Sequence, residues 1–399
     1  MMSRNDARRT AAAVVAAGCL VLTGCSGSSG SASDTQGLTG EPITIGMMSP
    51  VDSPTLSLPE YPKAAQAAAD SVNASGGING RPLKFVHCDD KDDPATASVC
   101  ARTLLQDDDA IAMVGSVSRQ SAVTYPVLDA TNKVSFGVVL SVPDDYNNPA
   151  SYPLMGGSAP GFNIPALIAK DPSVKTVVIA ATAASTGQVV IDNMSAGLTK
   201  AGITPVPIRI DPKQVDMTPY ALQIRDSGAQ AVIVSIAPQS AAPLAAQAAR
   251  LKDVKFYISG WLIDSAGAAA FQQAGVEPVI AMNADLGPQN ARFQQYKNDI
   301  AKYTTGLKNA DYEIDFNAWL SVNQLAEILR KLPDPTPAAL KDYLTKNPTM
   351  DTGVTHPLDF ASTPAPSLPR WKNVWIKEGK LDGGKVVATG GDWVSSYGG

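Results

Sequence analysis

Ser75-Gly76-Gly77-Ile78-Asn79-Gly80-Arg81 has the make-up of a helix C-cap running into a tight turn. Its glycines supply positive φ at no steric cost, and Asn79-Gly80 reverses the chain. Before the turn, residues 60–73 carry alanines on a helical repeat; after it, residues 83–88 form a short apolar run of strand character. The alternation continues downstream. Strands are expected at residues 43–48, 83–88, 111–115, 134–139, 176–181, 204–210, 231–236, 255–259 and 279–282. Several are apolar throughout rather than alternating, which favours strands covered by helices on both faces. Strands separated by helical stretches are the pattern of βαβ units around parallel sheets.

Residues 94–105 open with proline at a helix start and place Ala97, Cys100, Ala101 and Leu104 on one face. Residues 314–332 repeat Trp319, Val322, Leu325, Ala326 and Leu329 at helical spacing, with Trp319 expected in the core. Proline and glycine clusters at residues 151–161, 287–288 and 348–353 mark three passages from one lobe to another. Three passages give two lobes, each built from separate pieces of chain.

The N-terminus sets the compartment. Arg4, Arg8 and Arg9 precede an apolar stretch from Ala11 to Leu22, the build of a secretory signal peptide. That stretch is shorter than the roughly 20 apolar residues a membrane span requires. Leu22-Thr23-Gly24-Cys25 resembles the lipobox of bacterial lipoproteins, which implies cleavage before Cys25 and lipidation of its thiol. The mature protein is then tethered to the outer face of the plasma membrane by lipid alone. An ordinary signal peptide followed by a chance cysteine is the alternative. Residues 25–40, rich in Gly and Ser, make a flexible tether.

Without residues 1–24 the chain keeps 29 basic and 36 acidic residues, a formal charge of −7. No Lys/Arg cluster offers a footprint for a phosphate backbone, so nucleic acid is not an expected partner. The roughly 360 residues after the tether exceed what one hydrophobic core serves, consistent with two lobes. Cys88 and Cys100 are the cysteines left over in an oxidising compartment, and a bridge between them would staple a βα unit. Two buried reduced thiols are the alternative. The two histidines, His87 and His356, stand far apart in sequence, and neither a metal site nor a cofactor is predicted.

Ile43-Thr44-Ile45-Gly46, the turn at residues 75–81, Asp89-Asp90, Asp93-Pro94 and Met113-Val114-Gly115-Ser116 occur in that order. They are followed by the helix near Phe316, by Thr336-Pro337-Ala338-Ala339-Leu340 and by His356-Pro357-Leu358-Asp359-Phe360. Together, over about residues 41–399, they closely resemble the leucine/isoleucine/valine-binding family of extracytoplasmic solute-binding proteins, type I periplasmic binding proteins that serve ABC importers. The resemblance implies an α/β fold of two doubly wound parallel-sheet lobes joined by three crossover strands. The expected division is 41–158 with 284–352 for the first lobe, and 159–283 with 353–399 for the second. It further implies a monomer without enzymatic activity, a small-molecule ligand held in the interlobe cleft by hinge closure, and an ABC permease as partner.

Ligands of open α/β sheets lie beyond the carboxyl ends of the strands. Here the loops at those ends are residues 48–55, 116–121, 140–142, 183–187, 237–240, 260–264 and 283–286. Amino-acid-binding relatives hold the ligand carboxylate with small hydroxyl and backbone groups after the third and fourth strands. They also stack a tyrosine that precedes a glycine, and meet the ammonium with an acidic side chain. In the matching places this chain has Arg119, Leu140-Ser141-Val142, Thr186 before Gly187, and Trp261. An ammonium buried without its carboxylate loses several kcal/mol of compensation, which disfavours a common α-amino acid.

Arg119 can instead meet a ligand carboxylate in a bidentate pair, and Trp261 offers a flat apolar surface. The expected cargo has an apolar or aromatic body, with or without one acid group. A solvated Arg119 and a Trp261 that only packs are the plain alternatives. Ser118, Gln120, Ser121, Ser141, Ser185 and Thr186 are further candidates, although short hydroxyls on such rims also cap helices. Asp264 and Asp285 lie on loops where a carboxylate can receive a cation; either one facing the cleft returns an amine-bearing ligand to contention.

Catalysis finds little support. No G-x-S-x-G turn, phosphate loop or dinucleotide fingerprint occurs, and the glycines at 76–80 follow a helix rather than a strand. Within the binding class, an amino-acid-specific binding protein and a receptor reporting to a signalling partner remain open beside the importer.

Overall fold

The structure, a computed structural model, describes residues 37–53, 56–157 and 159–397. The expected leader and Cys25 lie outside the described residues. Strands β1 (Ile43–Met48), β2 (Leu83–Cys88), β3 (Met113–Val114), β4 (Ser135–Phe136) and β5 (Ser151–Tyr152) form a parallel sheet in the order β2-β1-β3-β4-β5. Strands β6 (Thr176–Thr182), β7 (Thr204–Ile210), β8 (Ala231–Ser235), β9 (Lys255–Ser259) and β10 (Val279–Met282) repeat that order in a second sheet, again parallel. β11 (Thr349–Met350) and β12 (Leu358–Asp359) pair separately, and the hairpin β13 (Lys377–Asp382) and β14 (Lys385–Ala388) extends the second sheet antiparallel to β10.

Helices α1 (Tyr61–Ala74), α2 (Pro94–Arg102), α3 (Ser121–Ala130) and α4 (Pro143–Asn147) come from the first sheet's connections. α5 (Ile164–Ile168), α6 (Ser185–Lys200), α7 (Thr218–Asp226), α8 (Pro238–Leu251) and α9 (Ser265–Ala274) serve the second. The chain then continues through α10 (Ala291–Tyr303), α11 (Glu313–Leu329) and α12 (Pro337–Lys346). α10 and α11 pack on α1, returning to the first sheet.

Both sheets are covered on both faces, which is why inner strands such as β1, β6 and β8 read as continuous apolar runs. Along β6, Val178 and Ala180 join the core beneath α7 and α8, while Val177, Ile179 and Ala181 meet Ile191, Met194 and Leu198 of α6. In the first sheet, Ile45 and Val114 lie in the core with α1 and α11, whereas Met48 and Met113 pack with Ala97, Cys100 and Leu128 of α2 and α3. Trp319 is fully buried, and its indole N–H donates to Asp299 at 2.9 Å.

The turn at residues 75–81 is built as its sequence requires. Gly76, Gly77, Asn79 and Gly80 all have positive φ, and a Cβ on Gly77 would collide with the Arg81 carbonyl. Arg330 at the end of α11 donates to the Gly77 carbonyl at 2.9 Å, so the turn also fixes a helix distant in sequence. Cys88 and Cys100 form a disulfide that ties the end of β2 to α2.

Two strands are shorter than expected. β3 and β4 stop at Gly115 and Gly137, whose φ values of 58° and 69° leave the extended region. A side chain on Gly137 would strike Ser321, so α11 packs against bare backbone there. The hairpin β13–β14 is a further departure: its residues are largely charged, and Gly383-Gly384, both at positive φ, supply the two-residue turn.

Three passages link the sheets, and asparagine side chains join them. Gly156 N–H donates to Asn283 Oδ1 at 2.5 Å, Asn283 Nδ2 donates to the Trp375 carbonyl at 3.0 Å, and Asn373 Nδ2 donates to the Leu154 carbonyl at 3.2 Å. After the second passage β11 pairs with β12, Phe360 packs on Tyr152 of β5 at 5.2 Å between ring centroids, and Ala365 and Trp371 join the cluster of Phe162.

Candidate functional site

Each sheet reverses its strand order between its first and third strands, β1/β3 and β6/β8, where the helices depart to opposite faces. A crevice opens at the carboxyl ends of strands at such points. On the second sheet it holds a cavity of about 280 Å³ lined by Thr182, Val190, Ile210, Ile236 and Leu262, with Gly187 at the start of α6. Gly187 admits no side chain, since a Cβ would overlap the Thr182 carbonyl. The lining is mainly apolar, with the hydroxyl-bearing Thr182, Ser235 and Ser240 and the carboxylate-bearing Asp211 among it, as suits a small molecule with an apolar body. A second cavity of about 270 Å³ lies between α4 and α6 and shares Val190; Val142, Tyr146, Phe162 and Leu368 line it.

The rim at the carboxyl ends of β3 and β4 on the first sheet is polar and internally matched. Ser118 Oγ donates to Asp90 Oδ2 at 2.5 Å and accepts from Gln120 N–H at 3.0 Å. Arg119 forms a two-pronged ion pair with Asp92, its Nε donating to Oδ1 at 3.1 Å. Gln120 Nε2 donates to the Asp92 carbonyl at 3.1 Å. Ser121 Oγ donates to Asp145 Oδ1 at 2.6 Å, and the backbone N–H groups of Ser141 and Val142 donate to Asp145 Oδ2 at 2.9 and 3.1 Å.

Asp145 is fully buried, and burial pushes its carboxyl up to about 6, against the lowering effect of Ser121 and the two amides. Asp90 is also raised by burial, with Ser118 opposing. Ser118, Arg119, Gln120, Ser121 and Ser141 are thus gathered on one rim, each engaged with an aspartate at 90, 92 or 145. Asp145 itself escaped sequence reasoning. Its signal was Pro143-Asp144-Asp145, a proline followed by acids, which reads as an ordinary helix start.

The other candidates sit on the second wall or between the walls. Trp261 is half-buried and packs against the core beside Leu262. Asp264 caps α9, accepting from Gly267 N–H at 2.7 Å. Asp285 pairs with Lys377 at 2.9 Å and accepts from Gly287 N–H at 3.0 Å. Ser185 and Thr186 open α6; their side chains lie outside the described residues.

Glu313, at the first turn of α11, is a further buried carboxyl that sequence reasoning did not single out. It accepts from the N–H groups of Asn283 and Ala284 at 2.5 and 2.8 Å, on the second passage between the lobes. Burial raises it to about 8 despite those two bonds. Asp315, one helical step on, is raised to about 7, again by burial first and then by Glu60.

Comparison with known proteins gives a consistent set of likenesses. A family model described as periplasmic binding protein matches residues 42–365. A protein of Pseudomonas aeruginosa called amino acid binding protein is 28% identical over 215 residues, 51% of this chain and 56% of that relative. The match therefore spans little more than half of the relative's length. A branched-chain amino acid ABC transporter protein from Thermus thermophilus, solved with bound valine, superimposes with a TM-score of 0.73 at 12% identity, over 90% of this chain and 97% of that one. A solute-binding protein of an ABC transporter from R. palustris, solved with benzoate, gives 0.64 at 16% identity over 89% and 98%. At such identities these two structures show the fold alone. Among the described residues, no helix is long and apolar enough to cross a membrane.

Proposed function

Because the chain belongs to the periplasmic binding protein family, matched from residue 42 to 365, we propose that it is the extracytoplasmic solute receptor of an ABC importer of the branched-chain amino acid type. A lipid on Cys25 tethers it outside the membrane, and a permease receives its closed form. The solute is a small organic molecule with an apolar or aromatic body, held between the lobes without chemical change.

One observation carries this reading: an apolar cavity of Val190, Ile210, Ile236 and Leu262 opens where the second sheet reverses its order, and an adjoining cavity shares Val190 with Ser141, Val142 and Tyr146 of the first lobe. The passages joined by Asn283 and Asn373 lie between the lobes and supply a hinge. A solute touching both walls favours closure by its extra affinity for the closed state. The valine and benzoate held by the two structural relatives are of fitting size for such a cavity.

Mass spectrometry of the mature protein, isolated from its own cells and then unfolded, tests the reading. A single small solute released by the wild type and missing from Val190→Trp, which fills the cavity, is the expected result. The same solutes recovered from both proteins would count against it.

A further inference from the structure

The first-lobe rim carries the groups from which a carboxylate site is made. A serine hydroxyl, Ser121 Oγ, and two consecutive backbone amides, those of Ser141 and Val142, converge within 2.6 to 3.1 Å of a single pair of oxygens. Those oxygens belong to the protein. They are the carboxylate of Asp145, a residue with no exposed surface, reaching back from α4 to the loop that precedes it. Three further side chains of the rim are committed in the same way, Ser118 to Asp90 and both Arg119 and Gln120 to Asp92.

An ionised carboxylate accepts hydrogen bonds and cannot donate one. A second carboxylate arriving at this rim would meet donors already in use and a like charge at close range, in a place where desolvation makes repulsion costly. An uncharged molecule meets neither obstacle, and the cavity beside Ser141 and Val142, lined by Tyr146, Phe162, Val190 and Leu368, suits its apolar body.

We propose that Asp145 is a specificity-determining residue whose carboxylate occupies the place of a ligand acid group, so that the cleft selects uncharged, apolar-bodied solutes and rejects their carboxylate counterparts. This rests on the interlobe cleft being the solute site. It narrows the cargo relative to the acid-bearing molecule that Arg119 suggested from sequence, because that guanidinium is matched by Asp92.

The test uses formate as the probe and needs no knowledge of the natural cargo. Asp145→Ala empties the oxygen positions and leaves Ser121, Ser141 and Val142 without their acceptor. The variant is expected to melt several degrees below the wild type, and sodium formate, compared with sodium chloride at equal ionic strength, is expected to restore at least half of that loss while leaving the wild type unmoved. Formate raising both proteins equally, or neither, overturns the proposal.

If the alanine variant does not fold, the wild type alone decides. The backbone amide resonances of Ser121, Ser141 and Val142 should hold still as benzoate is added; a saturating shift of these three overturns the proposal. Failure of the cleft reading itself shows up elsewhere, as the same solutes released by wild type and Val190→Trp.

Discussion

Asn283 and Asn373 bind each other's backbone: Asn283 Nδ2 donates to the Asn373 carbonyl at 3.3 Å, and Asn373 Nδ2 donates to the Asn283 carbonyl at 3.2 Å. The two residues lie on different passages between the lobes, and Asn283 Oδ1 reaches the remaining passage through Gly156 N–H. Both are almost completely buried. Three passages of chain are thereby fastened to one another by side-chain amides.

Removing either amide should loosen the fastening. Asn283→Ala leaves the Gly156 amide and the Trp375 carbonyl without partners, and buried polar groups so orphaned cost about 1–3 kcal/mol. Urea unfolding is the measurement, with Asn373→Ala expected to behave alike and the double variant to lose less than the sum of the singles. Strict additivity would mean that the two side chains do not act as one unit.

Glu313 gives the protein a pH dependence opposite to that of a salt-bridged acid. Burial raises its carboxyl to about 8, so the folded state keeps a proton that the unfolded chain releases at the ordinary carboxyl value. A native state that binds more protons than the unfolded one loses stability as pH rises. The contribution is complete below the unfolded value and gone once pH has passed about 8; Asp315, raised to about 7, acts with the same sign. Stability should therefore decline between about pH 5 and 8, by a few kcal/mol at most. Glu313→Gln keeps an acceptor for Asn283 and Ala284 N–H and should flatten that decline. An unchanged slope in the variant would remove Glu313 as its source.

Gly76 and Gly77 separate two costs. Both have positive φ, 94° and 64°, but only at Gly77 does a Cβ meet the Arg81 backbone, while at Gly76 it points into open space. Gly76→Ala should cost about 1 kcal/mol, the conformational penalty alone. Gly77→Ala should cost clearly more, since backbone must move and the Arg330 contact with it. Equal melting temperatures for the two variants would contradict the steric argument.

The disulfide closes a short loop between β2 and α2. Reduction, or Cys88→Ser with Cys100→Ser, should lower stability by about 3 kcal/mol in the chain-entropy account. Neither cysteine lines the cavities of Val190, so solute retention should survive in the same sample. Retention lost at full folding would place the bridge closer to the cleft's function than its position indicates.

Much of this was legible in the sequence, and the reasons are physical. Strands buried on both faces must be apolar, so β1, β6, β8, β9 and β10 run where the apolar stretches lie, while β2 and β7 at the sheet edges keep exposed Lys84 and Arg209. Glycines that admit no Cβ punctuate the turn at residues 75–81. The hairpin β13–β14 is marked in sequence chiefly by Gly383-Gly384, because β13 is largely charged and the apolar residues of β14 are few. Within the site, loop membership was readable from strand ends, but partner choice was not. Ser121 finds Asp145 24 residues away, and Asn283 finds Asn373 across 90. Arg119 looked like a ligand group until the loop at residues 89–93, with Lys91 and Asp92 at positive φ, brought a carboxylate to it.

Small-angle scattering from the mature chain, stripped of solute and then saturated with the molecule recovered by mass spectrometry, addresses the two-lobe trap most directly. The account predicts a smaller radius of gyration at saturation, with Val190→Trp unresponsive to the same addition. An identical radius for the stripped and saturated wild type would contradict closure around a solute.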